Sequence, residues 1–258
     1  MVKGLYTSAT GMINEQKRVD VLANNLANAS TAGYKAEGVT SEAFKDVLAY
    51  KIKDTSEFGT ARRLGAMSPG VKIGETYTDF SEGSFHETDN VYDMAISGKG
   101  FFTVEFANKN GEKTTMYTRA GDFKVLPNGS LVNGNGDYVL DVDGQHINLN
   151  PIAKTTVDTD GTIYQDGQAV AQMKITDFED YNYLLHYGET YFQAIDGATE
   201  VEEPQGIVYS GMVEQSNIQV AKEMVNLISY QRAYEANQKM IHAHDETLQV
   251  AVNDLGKI

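Results

Sequence analysis

The chain has 258 residues, 41% of them hydrophobic, with no cysteine and a formal charge of −15 at pH 7. That length fills one or two ordinary domains, and so acidic a chain is poorly suited to nucleic acid or an anionic membrane as its main partner. Without cysteine there is no disulfide framework, thiolate nucleophile or cysteine-based zinc site. The charge is uneven: residues 1–28 carry a net +1 and residues 212–258 a net −2, which leaves −14 on the middle. Near-neutral ends suit surfaces that pack together. The opening MVKGLYTSATGMINEQKR lacks an apolar core with a small-residue cleavage site, so no Sec-type leader is expected. No run of about 18 apolar residues predicts a membrane span.

Residues Lys3–Asn28 predict a first helix. Leu5, Met12, Val19 and Leu26 recur every seven positions, with Ala9, Gln16 and Ala23 between them, the spacing of a coiled-coil seam. Ala9 and Gly11 allow close backbone approach, although a glycine inside a helix costs roughly 1 kcal/mol. The run Asn28–Gly33 ends the helix with loop formers and a glycine suited to a left-handed turn. Tyr34 and Lys35 lead into extended chain. Glu42–Ile52 predicts a short amphipathic helix with Phe44, Val47 and Leu48 on one face, and Asp54–Arg63 a polar loop.

Beyond Pro69, Val71–Phe80 alternates like a strand. Short β runs follow at Tyr92–Ile96, Phe101–Phe106, Thr115–Arg119, Phe123–Leu126, Ser130–Val132, Tyr138–Val142, Thr155–Val157, Thr162–Tyr164 and Val170–Asp177. Among them stand Asn110–Gly111, Asn128–Gly129, Asn133–Gly134, Asn135–Gly136, Asp143–Gly144, Asp160–Gly161 and Asp166–Gly167. Such pairs supply the positive φ angles of tight hairpins, so this stretch predicts an antiparallel β domain. A mixed stretch, Tyr181–Tyr209, returns the chain to its last helix.

Ser216–Leu255 predicts that helix, roughly 60 Å long at about 1.5 Å per residue. Val220, Leu227, Tyr234, Ile241, Leu248 and Leu255 repeat every seven, with Met224, Gln231, Gln238, Asp245 and Val252 between them. Polar residues in a seam cost stability and fix register or partner. The matched pattern at both ends predicts that the terminal helices pack together. One arrangement is an antiparallel pair within a chain. The second helix is longer by a dozen or more residues, however, so part of its seam needs a partner from another chain.

Several apparent chemical motifs dissolve on inspection. His242 and His244 are two apart on a helix and point to different faces, so they do not readily chelate one ion. Asp158–Thr–Asp160–Gly161 begins like a calcium loop, but Ile163 and Ala169 occupy the positions that need Gly and Glu. Ser97–Gly–Lys–Gly100 lacks the spacing of a phosphate loop, and neither G-x-S-x-G nor HExxH is present. Glu179/Asp180 and Glu202/Glu203 lie in turn-prone, polar sequence, away from apolar runs that raise a carboxylate pKa. No catalytic residue, cofactor or metal is expected. Fifteen tyrosines leave open a carbohydrate-binding face, although strand tyrosines usually pack across strands.

Ala23–Asn–Asn–Leu–Ala–Asn28 followed by Ser30–Thr–Ala–Gly–Tyr–Lys35 resembles the ANNLAN…T-x-GYK motif of bacterial flagellar rod and hook proteins. Glu214–Gln–Ser–Asn217, Glu223–Met–Val–Asn–Leu–Ile228 and Gln231–Arg–Ala–Tyr–Glu–Ala–Asn237 resemble the same family's C-terminal signature. Asp93–Met–Ala–Ile–Ser–Gly–Lys–Gly–Phe–Phe102 and Tyr117–Thr–Arg–Ala–Gly–Asp–Phe123 resemble its central motifs. The residues carried over are Asn24, Asn25, Leu26, Asn28, Gly33, Tyr34, Asn217, Gln231, Arg232 and Tyr234. The chain departs slightly at Asn28–Ala–Ser–Thr, where many relatives carry valine.

The reading is therefore an α+β chain: long N- and C-terminal helices packing as a coiled-coil-like core, with an inserted antiparallel all-β domain. Residues 1–34 and 212–258 are expected to form the assembly part, 35–90 and 181–211 a mixed connecting region, and 91–180 the β domain. The resemblance implies a structural subunit of the flagellar basal-body rod that self-assembles into an axial tube and leaves the cell through a type III export channel without a cleaved signal. Implied partners are copies of itself, other rod and hook subunits, the export apparatus, and the rod bushing or cell-wall components. The expected intersubunit seam is Leu5, Met12, Gln16, Val19, Leu26, Val220, Met224, Leu227, Gln231, Tyr234, Gln238, Ile241 and Leu248, with Gln16, Gln231 and Gln238 pairing across it. Isolated helices with polar seams are marginal in water, so both ends are expected to order on assembly. A secreted glycan-binding β module on a helical oligomerisation stalk is the alternative, and a cell-wall hydrolase a third reading that no motif supports.

Overall fold

The computed structural model describes residues 2–50, 63–108, 111–202 and 204–255. The chain divides into two units, one drawn from 1–26, 37–77 and 220–258, the other from 27–36 and 78–219.

The first unit holds α1 (Val2–Ala27), β1 (Glu37–Ala43), β2 (Val47–Tyr50), β3 (Arg63–Met67), β4 (Val71–Thr78) and α2 (Val220–Leu255). Three contacts set the direction of the two helices. The His244 ring lies against Gly4, the Asn237 amide against Gly11, and the Arg18 guanidinium 4.7 Å from the centre of the Tyr230 ring. Positions climb by sevens on α1 as they fall by sevens on α2, so the pair is antiparallel. A Cβ on Gly11 would stand 3.0 Å from the Asn237 amide nitrogen, and one on Gly4 2.7 Å from His244 Nε2. Close approach is what the two helix-weakening glycines make room for. A different face of α1 receives β1: the buried Asn25 amide clasps the Glu37 backbone at 2.8 and 3.0 Å, and Ser41 Oγ donates to buried Asn14 at 3.1 Å.

Over its described residues, 42–50, the expected amphipathic helix at 42–52 is not there. Glu42 lies in β1, and Val47–Tyr50 is a strand pairing antiparallel with β3, Val47 opposite Met67. A helix so short cannot hold itself by propensity, and Val47 and Leu48 stay more than half exposed, so no core rewards one face of it. The partner strand offers backbone hydrogen bonds instead. The polar loop expected at 54–63 falls outside the described residues, apart from Arg63 in β3.

The second unit is the β domain, in which Phe85–Glu87 pairs with Met212–Glu214 and Met94–Ser97 with Ile207–Ser210. Its main sheet runs Leu184–Tyr187, Tyr191–Ala194, Lys113–Thr118, Phe101–Ala107, Tyr138–Val139, Leu131–Val132, Lys124–Val125, all neighbours antiparallel. Ile175–Phe178 branches from it and carries Glu200–Val201. Thr155–Val157, Thr162–Gln165 and Gln168–Gln172 make a separate meander. The run expected at Val170–Asp177 thus splits in two, with Met173 buried where the chain changes sheet. Phe102, Phe123, Ile96, Leu131, Ile147 and Ile163 are wholly or almost wholly buried in one core, and Phe101, Phe178 and Phe192 in a second. Each such side chain contributes about 1.5–3 kcal/mol by leaving water.

Among the expected turns, Asp166 and Gly167 both take positive φ, 50° and 82°, closing a two-residue hairpin between Gln165 and Gln168. At Gly129, Gly136, Gly144 and Gly161 only the glycine does so, because these loops are longer, and Gly111 also takes positive φ. Asn110 lies outside the described residues. Gly134 lies in the expected turn but not at positive φ: that hairpin closes from Asn133 N–H to the Asp137 carbonyl, with Gly136 in the left-handed position.

Three tyrosine hydroxyls donate to carboxylates: Tyr117 to Glu200 at 3.0 Å, Tyr181 to Asp177 at 2.8 Å, and Tyr191 to Asp137. Burial first, and then these carboxylates, push all three phenols well above their ordinary value near 10. The folded chain thus keeps protons that the unfolded chain releases, so this stability is intact below about pH 10 and falls as pH rises beyond it. Urea midpoints at about pH 8 and about pH 11 should show a clear loss at the higher pH. Tyr191→Phe should reduce that loss.

Candidate assembly interface

The segments that follow α1 and precede α2 meet inside the β domain. Gly33, at φ 68°, donates its N–H to the Glu214 carbonyl at 2.8 Å. A Cβ there would lie 2.2 Å from Ala120 N, so only glycine fits. Tyr34 is wholly buried, its ring set nearly perpendicular to that of His186 with 6.4 Å between the ring centres. Lys35 and Glu214, equally buried, meet at 2.5 Å, and Lys35 also donates to the Ser81 carbonyl at 2.8 Å. Arg119 Nη1 reaches the other Glu214 oxygen at 3.3 Å and the Ile96 carbonyl at 3.0 Å, and Nη2 the Gly98 carbonyl at 2.6 Å. Gly83 N–H adds a third donor to the Glu214 carboxylate at 2.9 Å. Arg119 Nε is buried without a partner. Burial chiefly, opposed by Glu214, holds the Lys35 pKa below its ordinary 10.5.

Asn217 completes the arrangement. Its oxygen accepts the Ala36 N–H at 2.8 Å, and its NH2 donates to the Asp79 carbonyl at 2.8 Å and to Ser81 Oγ at 3.0 Å. That engagement is why α2 starts at Val220 rather than at Ser216, where the helix was expected to begin. Asn28, also buried, accepts from Thr31 Oγ1 at 3.2 Å.

The expected seam residues divide in two. Leu5, Met12, Val19 and Leu26 on α1, and Leu227, Tyr234, Ile241 and Leu248 on α2, are half-buried. Val220 and Met224 are exposed, as are Gln16, Gln231 and Gln238. These three glutamines line, with Val19, Tyr234 and Glu235, one cavity of about 560 Å3. Asn24 and Arg232 are exposed on their helices. Among its described side chains α2 has none fully buried, and Met224, Val225 and Ile228 are 49%, 63% and 49% exposed. On α1, Tyr6 and Ile13, seven apart, are 63% and 55% exposed. In the antiparallel register α1 ends short of the α2 C-terminus, where Val250 and Val252 also stand exposed.

Sequence reasoning missed the triad of Lys35, Arg119 and Glu214. A signal for it was present: the three motifs Gly33–Tyr–Lys35, Tyr117–Thr–Arg119 and Glu214–Gln–Ser–Asn217 each contribute one of its charges.

Long terminal helices with uncovered apolar faces, rooted together in a β domain, define an assembly subunit. Three family models match the chain: "Flagella basal body rod protein" over residues 5–35, "Flagellar hook protein FlgE/F/G D1 domain" over 95–165, and "Flagellar basal body rod FlgEFG protein C-terminal" over 209–255. Similar proteins include the flagellar hook-basal body complex protein FlhO of Bacillus subtilis, 32% identical with all of both chains covered. The flagellar basal-body rod protein FlgF of Caulobacter vibrioides is also 32% identical over all of both chains. The rod protein FlgG of B. subtilis is 31% identical, covering 98% of this chain and 99% of its own. The chain belongs to the flagellar basal-body rod protein family.

Proposed function

We propose that this chain is a structural subunit of the bacterial flagellar basal-body rod, assembling with copies of itself and with other rod and hook subunits into a tubular shaft that transmits torque. The observation that carries this reading is the uncovered apolar surface of α2 on a helix longer than its intrachain partner. Apolar surface of that kind is the material of a subunit contact. Within the assembly, residues 1–34 and 212–258 form the axial part, and the heptad positions from Leu5 to Leu26 and from Val220 to Leu248 its coiled-coil-like seam. Gln16, Gln231 and Gln238, already grouped around one cavity, set the register there. Torque transmission needs rigidity and no bond chemistry, so the subunit works as a passive part. Export through the flagellar type III channel without a cleaved signal fits the same reading.

Electron microscopy of concentrated protein tests it, with and without residues 220–258, a deletion that leaves Glu214 and Asn217 in place. Open-ended tubes from the full chain, and none from the shortened one, are expected. A discrete oligomer of fixed size would overturn the proposal.

A further inference from the structure

The β domain's main sheet and both its aromatic cores use almost nothing beyond Val201; of the later described residues only Val208 joins a core. Yet Glu214, outside both cores, is wholly buried and receives four hydrogen bonds: on its carboxylate from Lys35, Gly83 and Arg119, and on its carbonyl from Gly33. The site holds two cations and one anion. Without the anion, Lys35 and Arg119 are like charges sharing a buried place, an arrangement far costlier than the intact pair. Glu82 is no substitute, because it is exposed and accepts from Gly98 N–H at 3.3 Å.

We propose that Glu214 makes the anchoring of the two helix roots a single coupled event: the segment after α1 docks only when the segment before α2 arrives with its carboxylate. Lys35 and Glu214 are 179 positions apart, Arg119 and Glu214 95. A chain synthesised from its N-terminus therefore carries both cations long before it carries the residue that lets them be buried together. Until then Tyr34, Lys35 and Gly33 have no completed seat, although the sheet strands are all present. Neither root is fixed alone. The inference concerns the folding of one chain and stands independently of the rod reading.

Amide exchange on three full-length variants tests it. In Glu214→Gln, protection at residues 33–36 should fall at least about 100-fold together with that at 214–217, while Phe101–Ala107 keeps its protection. Lys35→Met combined with Glu214→Gln should restore much of the loss, because the surplus buried charge is gone and Arg119 retains the Ile96 and Gly98 carbonyls. If Glu214→Gln alone prevents folding, the double variant must refold with both segments protected. Loosening confined to 214–217 in the single variant would overturn the coupling, and a double variant no better than the single would overturn the charge account.

Discussion

Gly33→Ala is expected to lower the stability of the β domain by about 4 kcal/mol or more, at the upper end of what one substitution does. The left-handed φ of 68° accounts for only about 1 kcal/mol of this. The rest comes from the space. The new methyl would stand 2.2 Å from Ala120 N and 2.3 Å from the Arg119 carbonyl carbon, and backbone atoms cannot swing aside as a side chain does. Relief requires moving residues 33 and 119–120 apart, which stretches the Gly33–Glu214 hydrogen bond and the ion triad with it. Gly188 supplies the control: its φ is 69°, and nothing lies within 4 Å of its missing Cβ. Gly188→Ala should therefore cost only about 1 kcal/mol. Urea unfolding followed by tyrosine fluorescence compares the two, and equal losses would show that the steric argument is wrong.

The second large effect concerns assembly. Met224→Lys with Ile228→Lys places two charges one helical turn apart on a face that the chain itself leaves 49% exposed at each site. The isolated subunit should fold with an unchanged unfolding midpoint, since nothing in it needs those side chains dry. A neighbour covering that face would have to bury two unpaired ammonium groups, at several kcal/mol per contact. Sedimentation should find the variant monomeric at concentrations where the unaltered chain polymerises. Tubes of ordinary length from the variant would remove this face from the interface.

The helices and the β domain were legible because each rests on a periodic signal: seven-residue repeats at the ends, and alternation broken by Asn–Gly and Asp–Gly in the middle. Val47 and Leu48 misled because a short apolar cluster fits helix and strand equally well, and the deciding partner, Arg63–Met67, lies beyond a polar stretch. Gly11 was understood in kind, as a close-approach residue, but its counterpart Asn237 is polar and invisible to a hydrophobic repeat. The same holds for Asn14 and Asn25, whose burial depends on Ser41 and Glu37 rather than on apolar neighbours. The triad stayed hidden for another reason. Periodicity describes neighbours along a chain, and Lys35, Arg119 and Glu214 are brought together only by topology.

The direct bonds between the incoming and outgoing chain at Gly33–Glu214 and Ala36–Asn217 also bear on what the fold tolerates. The stretch between them leaves and returns to one place, and it carries Ser81, Gly83 and Arg119 back into that site. Its far hairpins, such as the one at Asp166–Gly167, can lengthen, shrink or be exchanged without touching the Gly33–Glu214 and Ala36–Asn217 bonds. Peptide tags grafted at Asp166–Gly167 would leave those bonds and the Lys35–Arg119–Glu214 triad as they are.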